Sequence, residues 1–254
     1  MLNEATAWSG YHAEKEALRS EVWALLQQHQ VALRDPVGHI PTFQGAAAAA
    51  ERLAMLPVWQ RASVIKSNPD SPQIPVRLLA LQQGKRLYMA VPRLTNLRCF
   101  VELDPADLHD RNIPFAEAAV ARNALRYGRW ISFTEMQPID LVTVGCVAVT
   151  RSGGRTGKGA GFADLELAML AMFGLIQANT PIVTTVHSLQ IVEETRLPMQ
   201  PHDWALNWIV TPETAIETQS RYPRPTQLDW DAIRPEQYQQ IPVLQEVRLM
   251  MENG

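Results

Sequence analysis

The sequence predicts an α/β fold: a three-layer α/β/α arrangement around a mostly parallel sheet, with extra helices at the N-terminal and C-terminal ends. Three observations predict it. Short apolar, β-branched runs alternate with helix-prone segments through the middle of the chain, as in parallel strands joined by crossover helices. One run, Asp140 to Thr150, is almost continuously apolar, as a central strand covered on both faces would be. Directly after it, four glycines fall within the eight residues Gly154 to Gly161 and lead into a Leu-, Ala- and Met-rich segment.

Each element follows from its own signal. Residues 11–30 read as an amphipathic helix, with Leu18, Val22, Leu25 and Leu26 at helical spacing and Lys15 and Arg19 one turn apart. Residues 34–45 carry prolines and glycines and read as a loop. Ala46 to Leu56 is expected to be a helix ended by Pro57. Ala62 to Ile65 is a short strand, Asn68 to Pro72 a turn, and Ile74 to Gln83 a helix stopped at Gly84. Arg86–Val91 and Arg98–Leu103 read as strands, and 115–126 as a helix. After the glycine loop, Asp164 to Gln177 is expected to be helical. Pro181–Val186 and Asn207–Val210 are the last strands, and helix-prone segments occupy 229–251. The whole chain, 1–254, reads as one domain: a helical segment at about 10–57, an α/β core at about 58–212, and a C-terminal extension at about 213–254.

Composition narrows the function. Hydrophobic residues make up 46% and charged residues 19%, enough for an ordinary core. The net charge of -3 and the lack of a basic run argue against a nucleic-acid binder. No run of about 18 apolar residues occurs, so no membrane partner is expected. Met1 to Thr6 lack the basic and apolar start of a secretory signal, and the two cysteines, Cys99 and Cys146, sit in strand-like runs. A reducing, cytoplasmic location is therefore expected. The expected partner is a small molecule, and the sequence leaves the oligomeric state open.

The glycine loop carries the chemistry. Gly154-Arg155-Thr156-Gly157-Lys158-Gly159-Ala160-Gly161 allows backbone N–H groups to turn toward an anion, next to a helix N-terminus and two cations. That context suits phosphate, with a plain flexible loop as the alternative. A Walker loop would need glycine at 152 and Ser or Thr at 159, where Ser152 and Gly159 stand. A Rossmann fingerprint would need its third glycine one residue after Gly161. Asp164 reads equally as a helix cap or as a magnesium ligand beside the phosphates. His187, at the end of the Thr184-Thr185-Val186 strand, faces either a ligand crevice or a structural hydrogen bond. Trp204 and Trp208 read as packing aromatics.

The segment Gly154 to Asp164 resembles the G-R-[LI]-G-x-G-x-G-[YF]-Y-D signature of the 5-formyltetrahydrofolate cyclo-ligase family, also called methenyltetrahydrofolate synthetases. Lys15 to Arg19 is similar to that family's K-x-x-L-R, Gly84-Lys85 with Pro92-Arg93 to its G-K…P-R strand, Asn112-Ile113-Pro114 to its N-I-P segment, and Leu197-Pro198 through His202-Asp203 to its late L-P…[HN]-D motif. These pieces keep family order over about residues 13–212.

The resemblance implies a three-layer α/β fold and MgATP-dependent cyclisation of 5-formyltetrahydrofolate to 5,10-methenyltetrahydrofolate, with release of ADP and phosphate. It assigns charge neutralisation at the reacting phosphate to Arg155 and Lys158. ATP contacts fall to Lys15, Arg19, Gly154, Arg155, Gly157, Lys158, Gly159, Gly161 and Phe162. Magnesium falls to Asp164 and Asp203. The acceptor side is assigned to Asp70, Phe162 and His187. Ala163 stands where the family has tyrosine, Asp70 where it has glutamate, and Phe115-Ala116 where it has Glu-Pro, so the nucleotide side is kept better than the folate side. This pattern resembles the divergent synthetase-domain-containing branch. Two alternatives follow: an enzyme with another acceptor, or a non-catalytic nucleotide- or folate-binding protein.

Overall fold

The computed structural model describes residues 12–252, so the reading of Met1 to Thr6 lies outside the described part. The chain opens with α1 (Ala13–Gln28), α2 (Ala46–Ala54) and α3 (Pro57–Gln60), then β1 (Val64–Ser67), α4 (Ile74–Gln82), β2 (Arg86–Ala90) and β3 (Phe100–Leu103). The middle adds α5 (Pro105–Asp110), α6 (Phe115–Ala118), α7 (Ala121–Tyr127), β4 (Arg129–Ile131), β5 (Leu141–Thr143), β6 (Ala148–Thr150) and β7 (Arg155–Thr156). It ends with α8 (Phe162–Met172), β8 (Ile182–Thr185), β9 (Ile191–Val192), β10 (Trp208–Val210), β11 (Ala215–Glu217), α9 (Pro235–Gln240) and α10 (Pro242–Glu252).

Eight strands form one sheet in the order β11-β10-β8-β5-β1-β2-β3-β4. The five central strands, from β10 to β2, run parallel, and the edge strands β11, β3 and β4 pair antiparallel. Successive residues point to opposite faces, and both faces are apolar. Val64, Tyr88, Val142, Ile182 and Ile209 pack with Leu167, Ala168 and Leu170 of α8 and Val243 and Leu244 of α10. Their neighbours Ile65, Leu87, Leu141, Val183 and Val210 pack with α2, α4 and α7 through Leu53, Val76, Leu81 and Ala124. This is the expected three-layer α/β/α arrangement. A second sheet, β7-β6-β9, lies under α1, where Leu18, Val22 and Leu26 meet Val147 and Ala148. No helix among the described residues is long and apolar enough to cross a membrane.

Several expected boundaries are corrected. Asp140–Thr150 is two strands in two sheets, not one. The chain leaves the large sheet at Gly145, where a Cβ would lie 2.8 Å from Asp70 Oδ2 and 3.0 Å from Ile40 Cγ2. The Gln190 amide donates to the carbonyls of Cys146 (2.9 Å) and Val147 (3.1 Å), replacing ladder partners across the break. The first strand begins at Val64 rather than Ala62. Pro57 starts α3 as well as ending the segment before it, as the first-turn preference of proline allows. The expected helix at 115–126 is split into α6 and α7. The helix expected from Asp164 begins at Phe162 and ends before Gly174, which takes φ +68°. Neither cysteine lies in a strand. Both are free and buried, and burial pushes the Cys99 thiol up to about 12 and Cys146 to about 11, so neither is poised as a nucleophile.

Candidate functional site

A cavity of about 550 Å³ opens between α1, the turn after β1, the glycine loop and the C-terminal segment. The glycine run does two jobs within it. Gly153 (φ +95°) and Gly154 turn the β6–β7 hairpin, and Gly154 donates to Thr150 Oγ1 at 3.0 Å. Gly154 therefore does not line the cavity, contrary to its expected ATP contact. Gly157 to Gly161 form the loop that does. Among the described residues, nothing accepts a hydrogen bond from the N–H of Gly157, Lys158, Gly159, Ala160 or Gly161. Gly159 (φ +111°) and Gly161 (φ +70°) hold backbone shapes that side chains resist, and Gly161 caps α8. A run of unsatisfied donors ending at a helix N-terminus fits an anion.

The cations of the site differ in freedom. Lys158 is 46% exposed in its side chain, and its Nζ lies 3.8 Å from Asp70 Oδ1. Arg19 is buried against the loop, donating to Thr156 Oγ1 at 3.0 Å and pairing with Glu16, and its Nη2 would lie 3.2 Å from a Cβ at Gly159. Lys15, one turn earlier, donates to Asp203 Oδ2 at 2.5 Å. Arg155 is enclosed: it donates to the Trp204 carbonyl at 2.6 Å and pairs with Asp164 Oδ1. Its fork orients a carboxylate.

Asp164 and Asp203 both line the cavity, and each is held mainly through one oxygen. Asp164 Oδ1 takes Arg155 and the Trp204 N–H (2.9 Å), while Asp203 Oδ2 takes Lys15 and the Gln200 N–H (2.6 Å). Asp164 Oδ2 has no partner among the described residues, and Asp203 Oδ1 has only His202 at 4.0 Å. Two such oxygens suit magnesium, which takes one or two carboxylates and completes its shell with phosphate and water. No group of three or more His, Cys, Asp or Glu side chains forms a metal cluster among the described residues.

The acceptor side is built on the turn after β1. Buried Arg77 donates to the carbonyls of Asn68 (2.5 Å), Asp70 (3.1 Å) and Pro69 (3.4 Å), and burial pulls its guanidinium down to about 10. This clamp fixes Asn68 and Asp70 on the cavity wall, with Phe162 and Ala163 also lining it. His187 is elsewhere. It accepts from the Leu189 N–H at 3.2 Å, caps a 3-10 turn and meets Phe43 edge-on at 6.2 Å. Burial lowers its pKa, and it does not line the cavity.

Three further contributors are not evident from motif reading. Glu166 lines the cavity, buried and paired with fully buried Lys66. Burial raises the Glu166 pKa, and the Lys66 ammonium opposes the rise. The signal was a charge inside each apolar run, Val64-Ile65-Lys66 and Leu165-Glu166-Leu167. His12 stands at the α1 side beside His202 of the late motif; burial, then the Lys15 charge, lowers the His12 pKa. Finally, Gln227–Gln237 forms a wall. Leu228 and Ile233 pack in the same apolar cluster as Phe162 and Leu165, and Gln237 donates to the Ala160 carbonyl at 3.1 Å while accepting from the Arg234 N–H.

The profile of the 5-formyltetrahydrofolate cyclo-ligase family matches residues 11–212, stopping before that wall. The mouse methenyltetrahydrofolate synthase domain-containing protein is 36% identical over 237 residues, covering 92% of this chain and 63% of its own length. The human protein of the same name is 35% identical over 237 residues, covering 92% and 61%. This chain thus spans less than two thirds of these relatives. The NMR structure of Aquifex aeolicus 5,10-methenyltetrahydrofolate synthetase superposes with a TM-score of 0.50 over 85% of this chain and 100% of that one. At 16% identity, this supports a shared fold alone.

Proposed function

Because the chain belongs to the 5-formyltetrahydrofolate cyclo-ligase family, in its divergent synthetase-domain-containing branch, we propose that it is an ATP-dependent ligase. It closes 5-formyltetrahydrofolate to 5,10-methenyltetrahydrofolate and releases ADP and phosphate. The observation that carries this reading is the run of unsatisfied N–H groups from Gly157 to Gly161, facing a cavity that also holds Lys158, Arg19 and two half-engaged carboxylates.

The formyl oxygen attacks the γ-phosphorus, and the bond to ADP breaks with its electron pair leaving on ADP. N10 then closes on the activated carbon and loses its proton, and phosphate leaves with the C–O electrons. Such transfers need positioning and charge neutralisation more than covalent help from the protein. In this reading the Gly157–Gly161 amides and Lys158 receive the phosphate oxygens, and Arg19 and Lys15 bound the nucleotide from α1. Asp164 and Asp203 hold magnesium, which supplies neutralisation of phosphate charge. Arg155 sets Asp164, while Phe162 and Asp70 border the acceptor.

A second reading has a specific basis. Ala163 lines the cavity where the family pattern has tyrosine, so MgATP binding with a different acceptor is the alternative. The test mixes purified protein with MgATP and 5-formyltetrahydrofolate and follows methenyl absorbance and ADP. One ADP per methenyl product supports the cyclo-ligase. Bound MgATP without product rejects it and favours the second reading.

A further inference from the structure

Lys66 is fully buried, yet it holds two residues of the cavity wall at once. Its ammonium donates to Asn68 Oδ1 at 2.5 Å and pairs with the Glu166 carboxylate, whose side chain is 4% exposed. A buried ion pair of this kind is no better for stability than well-packed apolar residues. Its effect here is orientation. With Asn68 Oδ1 committed to Lys66, the amide must turn Nδ2 away, and Nδ2 has no acceptor among the described residues. Arg77 fixes the backbone of the same turn. The wall therefore presents an N–H donor from Asn68 and a carboxylate acceptor from Glu166, with apolar Val91, Leu94 and Ala168 also lining the cavity.

We propose that Asn68 and Glu166, positioned by Lys66, select the acceptor by taking the lactam edge of a flat heterocycle: Asn68 donates to the ring carbonyl and Glu166 accepts from the adjacent ring N–H. This deepens the folate reading and rests on it for the identity of the natural acceptor. The edge itself is testable without turnover. A site built to pair such groups discriminates strongly when one is blocked, because a buried polar group is then left unpaired.

The probes are pterin, which carries this edge and no formyl group, and 3-methylpterin, whose ring N–H is blocked. Both are titrated by fluorescence into the parent, Asn68→Ala, Glu166→Gln and the Lys66→Met/Glu166→Met double variant. Binding of a non-hydrolysable MgATP analogue monitors fold and nucleotide site. The parent is expected to bind pterin about 10-fold or more tightly than 3-methylpterin, with that preference lost in all three variants while analogue affinity stays within about 2-fold. The proposal is overturned if the parent binds both pterins equally or neither, or if the variants keep the preference. Selective pterin binding without methenyl formation would reject the cyclo-ligase reading and leave this site standing.

Discussion

Lys15 and Asp203, 188 positions apart, meet at 2.5 Å in the cavity wall and join the first helix to the late Leu197–Asp203 segment. The two side chains are 6% and 10% exposed. Removing one partner leaves the other charge buried alone. Lys15→Met is expected to lower stability by about 3–5 kcal/mol, and adding Asp203→Leu to recover most of that. Chemical denaturation of the single and double variants measures it. A single variant as stable as the parent would show that the pair is solvated.

Gly159 takes φ +111°, and a Cβ there would lie 3.2 Å from Arg19 Nη2. Gly159→Ala is expected to cost about 1–3 kcal/mol and to weaken MgATP binding. At Gly157 an added Cβ meets nothing within 4 Å, so Gly157→Ala should leave stability within about 0.5 kcal/mol of the parent. Equal denaturation midpoints for both variants would contradict the strained loop.

Arg155 and Lys158 look alike in sequence, but their surroundings differ. Arg155→Met strands the buried Asp164 carboxylate and should lower stability by about 3–5 kcal/mol. Lys158→Ala removes a half-exposed side chain with a 3.8 Å contact and should change stability by less than about 0.5 kcal/mol. Thermal or urea unfolding of both proteins separates the structural cation from the ligand-facing one.

Burial lowers the His187 pKa below 6.5. The neutral ring is thus favoured in the folded state. Its contribution to stability is full above pH 6.5 and falls as pH drops from there through the folded pKa. An NMR titration of the His187 ring protons should give a midpoint below 6.5 that saturating MgATP leaves unchanged. A large ligand-induced shift would return His187 to the site.

Much of the fold was legible because the large sheet is covered on both faces, so its strands print as apolar runs that need no partner to be recognised. The break at Gly145 was not. It depends on Asp70, Ile40 and Gln190, which meet the segment only after folding. In the site, Lys15, Arg19, Lys158, Asp164 and Asp203 followed from ordered motifs, and all five line one cavity. Gly154 sits in the hairpin and not in the cavity lining, because one glycine run serves a hairpin and a loop in succession. His187 lies away from this cavity, because a strand end names an edge of the sheet and not the side chain's neighbours. The Gln227–Gln237 wall lies beyond the family match and carries no motif. Its role comes from Leu228, Ile233 and Gln237 packing on α8 and its loop.

The most direct test of the central claim, that Gly157–Gly161 and Lys158 hold the phosphates of MgATP, is calorimetric titration of MgATP into the parent and Lys158→Ala proteins. The predicted result is clear binding to the parent and affinity about 10-fold or more weaker in the variant, from loss of a charge-assisted contact without loss of fold. A Lys158→Ala protein that binds MgATP as tightly as the parent would contradict the assignment of the loop.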